Sequence, residues 1–326
     1  MTSERILGIH HMTAITDDAQ ANIDFYTGVL GLRLVKLTVN FDDPTAYHLY
    51  YGDGLGTPGS ALTFFPYPGR QGRVGAGQVT STALAIPADS TGWWLKRLES
   101  EGVQHSLPFT REDEEVIPFT AHDGLPLELI ASPSYSPGVP IDGGTVPHEK
   151  SISRMHSVTI TENYGDATVK LLEEVMGFKR IGEFGNRTRF AGYRQGPGAY
   201  LDIIADPTMG QGHGGHGTVH HIAWATESDS TQMEWHKELG DLGYLISPIM
   251  NRDYFRSIYF REPGGVLFEI ATLGPGMAID EPQATLGTSL RLPQMYENMR
   301  SQIEAALPKL RLPNGVEVPI QVATPR

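Results

Sequence analysis

The sequence predicts an α+β fold: four βαβββ modules, grouped as two domains with cupped mixed sheets and followed by a C-terminal helical tail. Three observations predict it. Four helical patterns end alike, in a glycine followed by an apolar residue: VLGL (Val29–Leu32), SEGV (Ser100–Val103), VMGF (Val175–Phe178) and DLGY (Asp241–Tyr244). Each has a strand pattern before it and further strands after it, so one unit is written four times. Finally, a double histidine opens a strand near both ends of the chain, in GIHHMTAIT (Gly8–Thr16) and GTVHHIAWAT (Gly217–Thr226).

Each unit opens on a strand: GIHHMTAIT, VTSTALAIP, MHSVTIT or VHHIAWAT. The helix that follows shows apolar residues at helical spacing, as in Phe25, Tyr26, Val29 and Leu30, or Val169, Leu172, Val175 and Met176. Asp17-Asp18 and Gly165-Asp166 offer polar starts. At each helix end, glycine takes the left-handed cap conformation and the apolar residue packs back on the last turn. The last strands are GSALTFFP, DGLPLELIA, GPGAYLDIIA and GGVLFEIAT. This places an N-terminal domain at 1–131 (modules at about 7–67 and 78–131) and a linker at 132–150, rich in Pro and Gly. A C-terminal domain spans 151–274 (modules at about 153–206 and 217–274), and a tail spans 275–326. The tail carries one amphipathic helix, Pro293–Ala306, that packs on a domain or on a second subunit, which leaves a homo-oligomer open.

Bulk composition narrows the function classes. The 326 residues are 40% hydrophobic and 19% charged, an ordinary globular balance. A formal net charge of −13 without a basic run argues against a nucleic-acid partner or an anionic membrane. No stretch reads as a membrane span or a leader, so the expected location is cytoplasmic. With no cysteine, any metal must be held by His, Asp and Glu.

The fourth strands align Thr63, Glu128, Asp202 and Glu269 in one column, and the first strands align His11, His156 and His221 in another, with a small residue near Thr82. Alternate residues of a strand share a face, so these columns point into the concave side of each module. A lone strand histidine is usually a satisfied core residue. Carboxylates between Leu, Ile and Phe, however, need a partner or a metal. Two histidines and one carboxylate with open positions suit non-haem Fe(II) and O₂. His213 and His216 lie in QGHGGHG, which reads as a loop, and His48 lies on a strand that can line the cavity. The glycines of GLGTPG and PGRQGRVGAG read as turns, because neither run joins a strand to a helix as a phosphate loop does.

The chain resembles the vicinal oxygen chelate superfamily of glyoxalases, fosfomycin-resistance proteins and extradiol dioxygenases, and within it the ring-cleaving dioxygenases of the hydroquinone 1,2-dioxygenase type. The residues that carry the likeness are GIHHMTAIT, FYTGVLGLRLVKLTVNFDDP, YHLYYGD, GTVHHIAWAT, NRDYFRSIYFREPGGVLFEIAT and LPQMYENMRSQIEAALP, spread over nearly the whole chain. The resemblance implies a metal site built from the first and last modules, with His11, His221 and Glu269 as ligands. His221 is chosen over His220 because it matches His156, and a register one residue away would exchange them. It further implies Fe(II), with Mn(II) accepting the same ligands, and His10, Arg252 and Tyr259 around a bound aromatic ring. Glu128, His156 and Asp202 would mark a second, metal-free cup. The partners are then a small aromatic substrate and O₂. Para hydroxyls cannot both reach one metal, so side chains must steer the ring. His10 would exchange a proton, Tyr259 would hydrogen-bond the substrate oxygen, and Arg252 would stabilise negative charge.

Rival functions on the same fold are a glyoxalase-type isomerase or lyase, a catechol extradiol dioxygenase and a non-catalytic drug-binding protein. Glyoxalase-type sites take a fourth-strand ligand from both partner modules, and Thr63 is a poor one. The His pairs and Glu269 count against a protein that only binds.

Overall fold

The computed structural model describes residues 6–194 and 196–319. Its first module runs β1 (Ile9–Thr16), α1 (Ala19–Ile23), β2 (Arg33–Val39), β3 (Tyr47–Gly52) and β4 (Ala61–Pro66). The second runs β5 (Gln78–Pro87), α2 (Thr91–Ser100), β6 (Phe109–Arg111), β7 (Glu114–Thr120) and β8 (Pro126–Ser132). The third runs β9 (Met155–Glu162), α3 (Asp166–Lys170), β10 (Lys179–Phe184), β11 (Arg187–Ala191) and β12 (Tyr200–Ala205). The fourth runs β13 (Thr218–Thr226), α4 (Asp229–Asp241), β14 (Met250–Asn251), β15 (Arg256–Arg261) and β16 (Leu267–Thr272).

The helix ends follow the chemistry of their residues. The Asp18 carboxylate accepts from the backbone N–H of Gln20 and Ala21, and Ser228 and Thr231 form a reciprocal capping box on α4. Gly31, Gly102, Gly177 and Gly243 stand at φ of 69°, 68°, 76° and 88°, the left-handed conformation that a glycine cap requires. In the first and third modules the helix widens into π-helical turns, Asp24–Val29 and Leu171–Val175, which helical periodicity alone did not separate from α-helix.

Sixteen strands form two eight-stranded sheets, ordered β14-β15-β16-β13-β1-β4-β3-β2 and β10-β11-β12-β9-β5-β8-β7-β6. Within each module the first strand runs parallel to the fourth. Between modules, β1 pairs antiparallel with β13 and β5 with β9. Each sheet therefore joins modules from opposite halves of the chain, the first with the fourth and the second with the third. This brings the two double-histidine strands side by side. One continuous core, with Tyr26, Trp94, Trp224 and Trp235 fully buried, packs the modules together.

The tail packs on the first module. Lys36 of β2 is buried against Asp280 (2.6 Å) and Glu281, the Tyr47 hydroxyl donates to the Pro308 carbonyl (2.8 Å), and Gln20 accepts from the Arg311 N–H. The expected single helix over Pro293–Ala306 is corrected: residues Gln294–Met299 form 3₁₀ turns and only α5 (Arg300–Ala306) is α-helical. A two-stranded ribbon, β17 (Leu310–Arg311) and β18 (Glu317–Val318), follows. Among the described residues no helix is long and apolar enough to cross a membrane.

Candidate metal centre

Strand pairing converts three distant residues into one site. Across β1 and β13, Thr13 faces His221 and His11 faces Ala223; across β13 and β16, Ala223 faces Glu269. His11, His221 and Glu269 are buried, at 3%, 4% and 0% exposure. The Nε2 atoms of His11 and His221 lie 3.3 Å apart, and Glu269 Oε2 lies 3.3 Å from His11 Nε2 and 2.9 Å from His221 Nε2. This is the only His, Asp or Glu group among the described residues with ligand-like convergence.

The residues fit a metal ion. Burial pushes the Glu269 carboxyl up, but the two imidazoles outweigh it and hold it well below the usual carboxylate range. Oε1 accepts from the Ser257 hydroxyl, whereas Oε2 is buried without a well-formed hydrogen bond despite its close neighbours. An unpartnered buried carboxylate oxygen and two Nε2 atoms aimed at one point are a nitrogen and oxygen donor set for a divalent metal.

Both candidate ligand histidines are oriented by the histidine before them. His10 Nδ1 lies 2.8 Å from His11 Nδ1, and His220 Nδ1 lies 2.8 Å from His221 Nδ1. A histidine offering Nε2 to a metal carries its proton on Nδ1, so the neighbour accepts at Nδ1 and keeps its own proton on Nε2. His10 is buried with its ring 4.9 Å from Phe255, and burial followed by His11 lowers its pKa to about 3. The expectation that His10 faces the bound ring does not match this position behind His11. His220 borders the cavity instead. The sequence did not separate the two, because nothing in HH says which partner faces out.

A cavity of about 320 Å³ opens beside the triad, at the small end of ligand sites. Phe41, Phe65, Tyr67 and Phe255 give it aromatic walls, and Arg252, Tyr259 and His48 also line it. Tyr259 stands across the β15–β16 pairing from Glu269, with its ring 5.6 Å from that of His221. Burial and then Glu269 push its hydroxyl pKa up, so it stays a donor. Arg252 Nε donates to the Tyr259 hydroxyl (3.3 Å), while its terminal nitrogens grip Asp42 at 3.2 and 2.9 Å. Asp42 was not anticipated. It lies 210 positions from Arg252, and no local pattern links them.

At the fourth-strand position of the first module, Thr63 bonds Thr13 (2.7 Å) and His48 Nε2 (2.9 Å), and His48 Nδ1 meets the Tyr50 hydroxyl at 2.9 Å. Among the described residues, no carboxylate of that module joins the triad. In the other sheet the column carboxylates have ionic partners: Glu128 is gripped by Arg111 at 2.8 Å twice, and Asp202 by Arg189 and Arg187. The placement of His156 is corrected. Counting back from the pairs Thr159–Asp202 and Ala223–Glu269, Ser157 occupies the His221 column, and His156 corresponds to His220. His156 bonds Glu114 at 3.0 Å. The reason given for preferring His221 thus falls, while the geometry brings His221 to the triad independently. His213 and His216 stay on their loop, outside it.

Paired βαβββ modules around a buried His-His-Glu group define a class of metal-site proteins. The chain belongs to the Glyoxalase/Bleomycin resistance protein/Dioxygenase superfamily, whose family model it matches over residues 8–129 and 154–270. It is 43% identical to MhqO of Bacillus subtilis (strain 168), provisionally named a ring-cleaving dioxygenase, over 94% of this chain and 97% of that one. It is 33% identical to the chlorohydroquinone/hydroquinone 1,2-dioxygenase of Sphingobium indicum, over 92% and 95%. The crystal structure of a Bacillus subtilis protein provisionally named a dioxygenase superposes with a TM-score of 0.87 at 42% identity, covering 94% of this chain and 97% of that one.

Proposed function

We propose that the protein is an Fe(II)-dependent ring-cleaving dioxygenase that acts on para-dihydroxylated aromatic rings, with His11, His221 and Glu269 as the metal ligands. The observation that carries this reading is the three-donor group with Thr63 locked into hydrogen bonds beside it, so that the first module adds no fourth protein ligand. The names of the relatives point the same way. When bound, Fe(II) would supply a Lewis-acidic centre with open positions for a phenolate oxygen and O₂.

The chain's own residues do the rest. The aromatic walls hold the ring and exclude water. The Tyr259 hydroxyl, kept protonated by its surroundings, donates to a substrate oxygen, and Arg252 stiffens that donor while adding positive charge nearby. His220 takes the proton-exchanging part first assigned to His10, because it borders the cavity and holds its proton at Nε2.

The test is anaerobic Fe(II) loading followed by O₂ uptake with matched hydroquinones and catechols. The expected result is faster turnover of the hydroquinone, with both atoms of ¹⁸O₂ in the product. No uptake, or a much faster catechol, overturns the reading.

A further inference from the structure

His220 and Leu267 face two cavities at once. One is the cavity beside the triad; the other, about 290 Å³, is walled by Gly77, Gln78, Gln211 and Gly212. Leu267 is half-buried although its neighbours Val266 and Phe268 are buried, as a side chain between two open spaces must be. With Ile222 opposite Phe268 across β13 and β16, Leu267 is level with His221, and it lies two residues before Glu269 on the same strand face.

The geometry points to Leu267 as the residue that limits substrate size, a step that rests on the proposed function. The two halves of the shared wall differ. His220 is tethered through Nδ1 to a candidate metal ligand, so it cannot turn aside without disturbing the centre. Leu267 has an aliphatic side chain with no group that could tether it to the triad, and it stands level with His221. A cavity of about 320 Å³ takes one ring with small substituents. A bulky substituent directed at the wall meets Leu267 first, and the volume that would receive it lies immediately behind.

The experiment compares hydroquinone with tert-butylhydroquinone in the wild type, Leu267→Ala and Leu267→Phe. Turnover is measured as kcat/KM on the Fe(II)-loaded enzyme, and binding by anaerobic calorimetry on metal-free protein. The expected result is a rise of about tenfold or more in the bulky-to-small ratio for Leu267→Ala and a fall for Leu267→Phe. If one variant does not fold, the other decides by its own direction. Unchanged ratios in folded variants overturn the assignment. A wild type that turns over neither compound sinks the dioxygenase reading, while the binding ratios still decide whether Leu267 is the partition.

Discussion

The Nδ1 atoms of His10 and His11 lie 2.8 Å apart, so the second ring of the first histidine pair is aimed by the first. His10→Ala should leave His11 free to rotate and lower metal affinity by roughly 10- to 100-fold. His10→Gln, which can still accept the proton of His11, should recover part of the loss. Chelator competition measures both. Equal affinity in wild type and His10→Ala would remove His10 from the metal site.

The ligand assignment makes a sharper contrast. His11→Ala, His221→Ala and Glu269→Gln should each weaken metal binding by more than the ~100-fold that a supporting residue can cost. His220→Ala, which removes the partner that aims His221 at 2.8 Å, should cost only the roughly 10- to 100-fold in metal affinity of a supporting residue and should lose turnover even at full metal loading. If His220→Ala empties the site while His221→Ala does not, the ligand is His220.

Tyr259→Phe removes one hydroxyl that Arg252 aligns at 3.3 Å. Metal content should stay normal and kcat should fall on the order of 10²-fold. Unchanged turnover at full metal loading places the hydroxyl outside the chemistry.

Much of this arrangement was legible because it is repeated. Four glycine caps and two histidine pairs gave the modules and pointed to their partnership, and the Glu269 column was readable from apolar flanks. What escaped depends on pairing register or on distant contacts. His156 was matched to His221 by residue type, whereas the β9–β12 pairing puts Ser157 in that column. Arg189 lies directly across from Asp202 only once β11 is placed beside β12. Ser257, which fixes one oxygen of Glu269, sits on a neighbouring strand with nothing in the sequence to single it out.

One buried carboxylate pair predicts how stability responds to pH. Glu162, at the end of β9, and Glu262, in the β15–β16 turn, are 1% and 2% exposed, and both contact the Thr168 hydroxyl, at 3.0 and 2.5 Å. A hydroxyl donates only one proton, so Thr168 cannot serve two carboxylates as donor, and one of the acids keeps its own proton. Glu262 accepts from the N–H groups of Gly264 and Val266, at 2.8 and 2.6 Å, so both of its oxygens have backbone donors. Glu162 has an unpartnered oxygen and is the acid. A side chain on Gly264 would collide with its carboxyl, at 2.1 Å. Burial first, then Glu262, raises the Glu162 pKa from 4.5 to about 8. The folded state therefore holds a proton that the unfolded chain has released, and between those two pH values stability falls as pH rises. Each pKa unit corresponds to about 1.4 kcal/mol, so the loss is on the order of a few kcal/mol. Glu162→Gln mimics the protonated acid and has nothing to release. Its melting temperature should gain on the wild type from about pH 5 to pH 8 and hold a constant lead above that. Parallel melting curves for the two proteins across this range would show that the pair carries no shared proton.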